Sequence, residues 1–292
     1  MVVPAPVTVS FFLPSADLRP YVSSIYLTAI EPSSGETITD WLMPEWAALR
    51  MASEAVGRVA IGSQPEQPAP LMMVSGPTSL ATRIEIGAAQ IWGVGILPLG
   101  WARLVGAPAH QFADLIADGL REAALEHLAP LHPQIFTGDP DPALVAARID
   151  HFLRDLLAAR PPGEDEDRVR AAHRLLIDAD VATVGEFAER LGLTARTLER
   201  FCLRVFGFPP KLLLRRQRFT RSLAQFLLDP SLAWIRTLDQ GYVDQAHFVR
   251  DFRRFMGMSP SAYGSADHPI LRATVAPRQA QVGGAVQVLH RP

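Results

Sequence analysis

The chain has 292 residues, of which 48% are hydrophobic, and a formal net charge of −2. This length allows two domains, and the composition is typical of a globular protein. No apolar run approaches the roughly 18 residues of a transmembrane helix, and the first residues lack the basic and apolar regions of a signal peptide. The single cysteine, Cys202, excludes an internal disulfide framework and fits a reducing cytoplasm. We expect it to be a small buried residue, with a reactive thiol as the alternative.

Charge is distributed unevenly along the chain. Residues 1–163 contain 9 basic and 16 acidic side chains, whereas residues 164–292 contain 19 basic and 14 acidic ones. Within the second part, residues 190–254 contain 13 basic and only 5 acidic side chains. A basic segment behind an acidic front half is typical of a protein that binds a polyanion. Four arginines there could instead form a face that is only solvated: Arg215, Arg216, Arg218 and Arg221.

Residues 1–110 are predicted to form a β-rich domain that senses a ligand. Short apolar runs such as 21–30, 47–52 and 90–96 are separated by proline, glycine and serine, a pattern that favours a small barrel or sandwich. Four of the five tryptophans lie in this part. Core packing is their more common role, but a ligand pocket lined by tryptophan is the alternative. The candidate pocket residues are Trp41, Trp46 and Trp92.

Residues 111–162 are predicted to be a helical linker. Leucine and isoleucine recur at helical spacing in 113–128 and 142–159, and the stretch HPQIFTGDPDP separates the two segments. Such helices can form a dimer contact, or they can merely cover the open face of the β-rich domain. Residues 161–167 then predict an exposed acidic linker, which suits the N-terminus of the helix predicted over 168–177.

The stretch VGEFAERLGLTARTLERFCLRVFG, residues 184–207, predicts two short helices joined by a turn. Ala188 stands four residues before Gly192, and a small residue at that place lets two helices cross closely. Thr194 is the expected N-cap of the second helix, over about 195–206. The stretch therefore predicts a helix-turn-helix unit.

A second unit follows a long predicted helix over about 209–228. Its sequence, DQGYVDQAHFVRDFRRFMGMSPSAY, places Asp244 as the N-cap of a helix over 244–256. Phe248, Phe252 and Phe255 recur at spacings of four and three, so they form one apolar stripe. Thr237 stands four residues before Gly241, where the first unit has alanine.

Two such units joined by a long helix resemble the AraC/XylS family of transcription regulators. The resemblance covers about residues 165–265 and rests on EFAERLGLTARTLERF, GFPPKLLL and GYVDQAHFVRDFRRFMGMSPSAY. It implies an AraC-type DNA-binding domain over 163–266. Gly264 stands where the family usually has a basic residue, so one phosphate contact is missing from the expected set. Segments of the front domain, including 44–46 and 93–98, are similar to the cupin-like sensory domain of one subgroup.

The predicted fold class is therefore α+β, with an N-terminal β-rich cupin-like barrel or sandwich, a helical linker and a C-terminal all-α tandem helix-turn-helix domain. The tail, residues 267–292, shows little periodicity and is expected to be disordered. The two recognition helices should lie in successive major grooves, about 34 Å apart.

The first turns of both recognition helices supply the candidates for base contacts. Arginine recognises guanine and glutamine recognises adenine, while valine and alanine can contact the thymine methyl group. These candidates are Arg196, Thr197, Glu199, Arg200, Gln245, Ala246, His247, Val249 and Arg250, with Arg200 and Arg250 foremost. The candidates for phosphate contacts are Thr194, Arg204, Lys211, Asp244, Arg253 and Arg254.

Signatures of catalysis are absent from the sequence. Gly93-Val94-Gly95 does not continue as a dinucleotide-binding motif, and no P-loop, zinc-protease or nucleophile-elbow motif occurs. We expect no enzyme, no cofactor and no metal. The predicted function is sequence-specific transcription regulation in the cytoplasm, with double-stranded DNA, a small-molecule effector, a second copy of the chain and, for an activator, RNA polymerase as partners, and no membrane. The alternative is an enzyme or a protein-interaction domain fused to a DNA-binding module.

Overall fold

A computed structural model of the chain describes residues 6–33, 35–163, 165–229, 236–283 and 286–290. Strands fill the first part of the chain and helices the second. The described strands are β1 (Val7–Phe12), β2 (Val22–Ile30), β3 (Ile38–Leu42), β4 (Ala47–Ala52), β5 (Gly57–Ile61), β6 (Gln67–Pro68), β7 (Met72–Ser75), β8 (Thr82–Ile86), β9 (Ala89–Ile96) and β10 (Ile116–Asp118). The described helices are α1 (Pro98–Gly100), α2 (Leu131–Ile135), α3 (Pro142–Ala158), α4 (Glu166–Ile177), α5 (Val184–Arg190), α6 (Ala195–Phe206), α7 (Pro210–Leu228), α8 (Gln245–Met256), α9 (Pro260–Ser265) and α10 (Pro269–Val282). The predicted α+β class is confirmed.

The strands form two antiparallel sheets that we call the β domain. The larger sheet has the order β1-β2-β9-β4-β7-β10, and the smaller has the order β3-β8-β5-β6. Strand β8 shows why they pack face to face. Its Ile84 and Ile86 are buried, whereas Arg83 and Glu85, which alternate with them along the strand, are partly exposed. This alternation gives the sheet one apolar face, which packs against the corresponding face of the other sheet.

The prediction of a helix over 113–128 is wrong. Residues 116–118 form β10, in which Ile116 pairs with Ser75 of β7, and a single short 3-10 helix, Ala123–Leu125, follows before α2. Asp114 takes a left-handed backbone conformation, φ 52°, and its carboxylate accepts a hydrogen bond from the backbone N–H of Ser79 at 2.6 Å. Pairing with β7 therefore outweighs the local leucine and isoleucine spacing, and the large sheet continues beyond residue 110.

Helix α3 covers one face of the large sheet. Its buried side, which includes Val145, Ile149 and Leu153, belongs to the same apolar core as Ile25 of β2. The acidic linker that follows is less exposed than predicted, because Glu166 forms an ion pair with the buried Arg103. The predicted helices over 142–159 and 168–177 are confirmed with small shifts at their ends.

Helices α4 to α9, which we call the helical domain, enclose a core of aromatic and aliphatic side chains. Phe219 of α7 contacts Phe248, Phe252 and Phe255 of α8, with ring centroids 5.0–6.4 Å apart. Cys202 is fully buried, and burial raises the pKa of its thiol to about 12, so it acts as a small apolar residue. Among the described helices, none is long and apolar enough to cross a membrane.

The described residues of the tail, 267–283 and 286–290, are ordered, which corrects the expectation of disorder for them. Residues 269–282 form α10, and its Ile270, Leu271 and Val275 are buried. The helix packs against β1 and β3. Long-range burial, which periodicity within the tail does not reveal, therefore fixes this helix.

The two domains are in direct contact. Trp46, which follows β3, is 2% exposed, and the guanidinium of Arg216 lies over its ring, 4.1 Å from the ring centroid. Arg216 also donates to the backbone oxygen of Thr78 at 2.8 Å. Gly207, at the end of α6, has φ of 82°, and a Cβ atom there would approach Pro77 to 2.8 Å. Docking of the helical domain thus depends on close apolar and cation–π contacts.

Candidate nucleic-acid interface and ligand cavity

Helix α6 has one buried face and one exposed polar face. Thr194 caps it as predicted, because its side-chain oxygen accepts from the backbone N–H of Thr197 at 3.2 Å. The buried stripe includes Leu198, Phe201 and Val205. Four base-contact candidates lie on the opposite side and are exposed: Arg196, Thr197, Glu199 and Arg200.

Helix α8 repeats this construction. Asp244 caps it by accepting from the backbone N–H of His247 at 2.6 Å, and Gly257 ends it with φ of 72°. Gln245, Ala246 and Arg250 are exposed. The two helices each contain 12 residues, and each has a side-chain N-cap and a left-handed glycine at its end. Residues 230–235, on which the first helix of this second unit would fall, lie outside the described residues, and Thr237 beside them is buried.

Two candidates on α8 are less accessible than the others. His247 is half-buried, accepts a hydrogen bond from Arg218 at 3.2 Å and packs edge-on against the ring of Tyr242. Val249 is also half-buried. In contrast Val243, which sequence reasoning did not select, is 89% exposed directly before the N-cap. Because this exposure is visible only in the structure, the structure adds Val243 to the candidate DNA-contacting residues.

The phosphate-contact candidates differ in their availability. Lys211, Arg253 and Arg254 are exposed. Arg204 is exposed but forms an ion pair with Asp165 at 2.5 Å. The side chain of Thr194 is used as a cap, and so is that of Asp244, whose negative charge would also repel a phosphate.

Helix α8 is held in place by a buried carboxylate that sequence reasoning missed. Asp251 is fully buried and accepts hydrogen bonds from Arg215 at 2.6 Å, Tyr242 at 3.1 Å and Arg218 at 3.4 Å. Arg221 of the same long helix pairs with Asp239 at 2.5 Å. Three of the four arginines considered as a solvated face or a polyanion patch thus form ion pairs within the helical domain. The fourth, Arg216, is buried against the β domain.

A cavity of about 160 Å³ lies between the two sheets of the β domain and is closed on one side by α10. Its wall is mainly aliphatic, with Ile30, Met73, Ile84 and Ile91 from the sheets and Ile270 from the tail. Such a lining suits a mainly apolar ligand.

None of the three tryptophans that are candidates for a ligand pocket lines this cavity. Trp46 packs against Phe206 and Arg216 between the domains. Trp92 is buried on the outer side of the large sheet, beside Phe12. Trp41 packs edge-on against His268 of the tail. All three pack against other side chains, which is the more common role that the sequence analysis gave them.

Charged side chains border the cavity at one end. Arg50 forms two hydrogen bonds with Glu45, at 2.8 and 2.9 Å. Burial raises the pKa of the Tyr26 hydroxyl, so it is a neutral donor at physiological pH. Arg278 of α10 is 4% exposed, and burial lowers its pKa to about 10. With that pKa its guanidinium is still charged at neutral pH. Within the described residues, no cluster of three or more potential metal ligands occurs.

Comparison with known proteins supports the assignment of the helical region. Residues 187–266 match a family described as a helix-turn-helix domain. The HTH-type transcriptional regulator RipA of Corynebacterium glutamicum is 31% identical over 118 residues, which are 37% of this chain and 35% of that protein. The match thus spans about a third of the relative's length.

Two solved structures of ToxT from Vibrio cholerae show more distant likeness. Wild-type ToxT of strain SCE256, bound to an unsaturated fatty acid, has a TM-score of 0.45 and 10% identity, with 80% of this chain and 97% of that chain covered. ToxT of strain O395 has a TM-score of 0.43 and 12% identity, with coverages of 78% and 93%. At these values the likeness carries no conclusion about a ligand of this chain.

Proposed function

We propose that the chain is a sequence-specific DNA-binding transcription regulator of the AraC type, and the match of residues 187–266 to a helix-turn-helix domain family supports this. The observation that carries the proposal is the repeated construction of α6 and α8. Each helix buries an apolar stripe and leaves a polar face with arginine exposed. A helix of this kind fits the major groove, where arginine and glutamine distinguish base pairs.

We assign base recognition to the exposed faces of both helices. Arg196 and Arg200 of α6 and Gln245 and Arg250 of α8 would contact base edges. Val243, exposed beside them, would contact a thymine methyl group or a sugar. We retain Arg204, Lys211, Arg253 and Arg254 as phosphate contacts, whereas Asp244 and Thr194 act through the caps that fix the helix starts.

The test is selection of bound sequences from random DNA with the full chain. Two recognition helices should enrich a site with two conserved blocks about one helical turn apart. Footprinting should then show protection of both blocks. Enrichment of no motif, or of one short block only, would contradict two-helix recognition.

Arg250→Ala should weaken specific binding by about 1–3 kcal/mol and relax the choice of base at one position. The reason is that a guanidinium can form two hydrogen bonds with guanine, whereas alanine forms none. Binding to selected and scrambled DNA is measured side by side, with the exposed Arg121 of the β domain replaced as a control. An equal loss on both DNAs would assign Arg250 to the backbone instead.

Arg254→Ala should weaken binding to every sequence to a similar degree. A phosphate contact releases counterions, so its loss should reduce the slope of log K against log salt by about one. Affinities measured at several salt concentrations give this slope. A slope equal to that of the unchanged chain would exclude the phosphate contact.

We further propose that a small molecule in the cavity between the sheets controls DNA binding. The support is the cavity itself, since a domain that acts only as a protein-interaction platform needs no cavity between its sheets. The proposed location is the cytoplasm, because the partner is DNA. Contact with RNA polymerase and dimerisation through α3 stay predictions.

A further inference from the structure

Gly241, in the turn before α8, makes room for an arginine of the long helix α7. It does not take a left-handed backbone conformation, so its lack of a side chain serves another purpose. A Cβ atom there would approach the Cδ atom of Arg218 to 2.8 Å. Such a contact would displace the guanidinium that follows Cδ. The glycine therefore lets Arg218 extend past the turn to the start of α8.

The guanidinium of Arg218 is held by three side chains of the second helix-turn-helix unit. It lies over the ring of Tyr242, 4.7 Å from the ring centroid. Its Nη2 atom lies 3.4 Å from the carboxylate of Asp251 and 3.2 Å from Nε2 of His247. Since Nη2 carries two hydrogens, it can donate to both. Arg218 can therefore influence DNA binding through the residues that it holds.

The contact with Arg218 determines which ring nitrogen of His247 carries the proton. A guanidinium has only donors, so Nε2 of His247 accepts. A neutral imidazole has one protonated nitrogen, and in His247 this is therefore Nδ1. The edge-on contact with Tyr242, with ring centroids 5.2 Å apart, fixes the ring plane. Within the described residues, Nδ1 has no hydrogen-bond partner and is not a buried unpaired atom, so its N–H group faces solvent.

His247 lies in the first turn of α8. The backbone N–H of His247 donates to the N-cap Asp244, and His247 is the third residue of the helix. The first turn of a recognition helix is the part that contacts base edges. Gln245, Ala246 and Arg250, at neighbouring positions, are exposed. The Nδ1–H group of His247 therefore belongs to the surface that faces DNA in the proposed function.

We propose that Arg218 is a positioning residue that holds His247 as an Nδ1–H donor, and that this N–H group contacts a hydrogen-bond acceptor of the DNA. The inference rests on the proposed DNA binding by α8. Acceptors in the major groove are N7 of the purines, O6 of guanine and O4 of thymine, and the phosphates offer further oxygens. Cytosine presents only an amino donor there, so a base contact excludes cytosine at the contacted position.

The opposite tautomer of His247 would reverse this preference. An unprotonated Nδ1 is an acceptor, which repels the oxygens of phosphate and guanine and can instead accept from the amino group of cytosine or adenine. Arg218 thus sets the polarity of the contact through His247, without a contact of its own to the DNA.

Nitrogen-15 NMR of the full chain, labelled in histidine, tests the positioning role without DNA. Protonated and unprotonated ring nitrogens have well-separated chemical shifts, and His247→Ala identifies the signals of His247 among those of the eight histidines. We expect a protonated Nδ1 and an unprotonated Nε2 in the unchanged chain. In Arg218→Met, which removes the donors, the Nε2–H tautomer should become the major form. Gly241→Ala should have the same effect by displacing the guanidinium.

Arg215→Met is the matched control. Arg215 also belongs to α7 and donates to Asp251, at 2.6 Å, and its other described contact is with the ring of Phe255. This variant therefore removes a partner of the same carboxylate but leaves the contact between Arg218 and His247. His247 should keep the Nδ1–H tautomer in it. Circular dichroism verifies that each variant is folded.

Binding to the site selected from random DNA tests the contact itself. His247→Ala should weaken binding about two- to tenfold, as expected for one lost hydrogen bond. Adding His247→Ala to Arg218→Met should cause no further loss, because Arg218 acts through His247, whereas the losses of His247→Ala and Arg215→Met should add. Sites substituted at each position identify the acceptor. A base contact makes the loss depend on one base pair, and a phosphate contact gives the same loss on every sequence.

The results separate this inference from the proposed function. A protonated Nε2 in the unchanged chain, the same tautomer in Arg218→Met, or a full further loss in the double variant would overturn the proposal. If these results occur with a two-block selected site, the regulator stands and Arg218 only supports packing. If selection yields no motif, the DNA-binding proposal fails and the DNA contact with it, while the NMR spectra still decide whether Arg218 sets the tautomer.

Discussion

Replacing Asp251 by alanine is expected to lower the free energy of unfolding by about 3–5 kcal/mol, because it removes one partner of a buried charged network. The carboxylate is fully buried and serves Arg215, Arg218 and Tyr242 together. Without it two guanidinium groups lose their counter-charge and the tyrosine hydroxyl loses its acceptor. Specific DNA affinity should also fall, because this network fixes α8 against α7. Denaturant unfolding and DNA titration measure the two effects.

Two further variants are expected to lose less stability than Asp251→Ala. Tyr242→Phe removes only one hydrogen bond to Asp251, so it should cost about 1 kcal/mol. Asp155→Ala removes an exposed partner of His151, and such surface pairs contribute about 0–1 kcal/mol. If Asp251→Ala were as mild as Asp155→Ala, the network would not stabilise the recognition helix.

Trp46→Ala is expected to cost about 3–5 kcal/mol of unfolding free energy, because it deletes a large buried side chain. It also removes the nearer of the two cation–π partners of Arg216, which is fully buried and packs on that ring. Since these contacts join the β domain to the helical domain, the two should unfold in separate transitions in this variant. Calorimetry and circular dichroism follow the transitions.

A matched control for this change is Trp41→Ala, at a tryptophan that is only partly buried and contacts His268. Its cost should be clearly smaller, and it should leave one main transition. A single unfolding transition with unchanged midpoint in the Trp46 variant would show that the docked interface contributes little.

Local sequence signals predicted most of the helical domain. The N-caps Thr194 and Asp244 and the terminal glycines Gly207 and Gly257 are determined by neighbouring residues, and α6 begins and ends where these signals placed it. The same holds for β4 at 47–52, since its bounding turns are encoded within a few residues. The sequence thus predicts a helix or strand correctly where neighbouring residues determine both of its ends.

The rest depends on residues far apart in the chain. Asp251 looks like one acidic residue among basic ones, and only folding brings three donors from α7 and its neighbouring turn around it. Helix α10 needs Asp40, which lies 230 positions before Ile270. Core packing was the more common role expected of the tryptophans, but residue type does not tell which side of a sheet a side chain occupies, so the sequence left a pocket open as the alternative.

The contact between the β domain and the helical domain is sensitive to substitution of Gly207. The residue that stops the first recognition helix also allows the backbone to approach Pro77 of the β domain. Any larger residue would strain the left-handed backbone conformation that ends α6. Its side chain would also push the helical domain away from the β domain. The absence of a Cβ atom at Gly207 therefore sets both where α6 ends and how closely the β domain approaches it. A substitution at this position cannot change one of these features without changing the other.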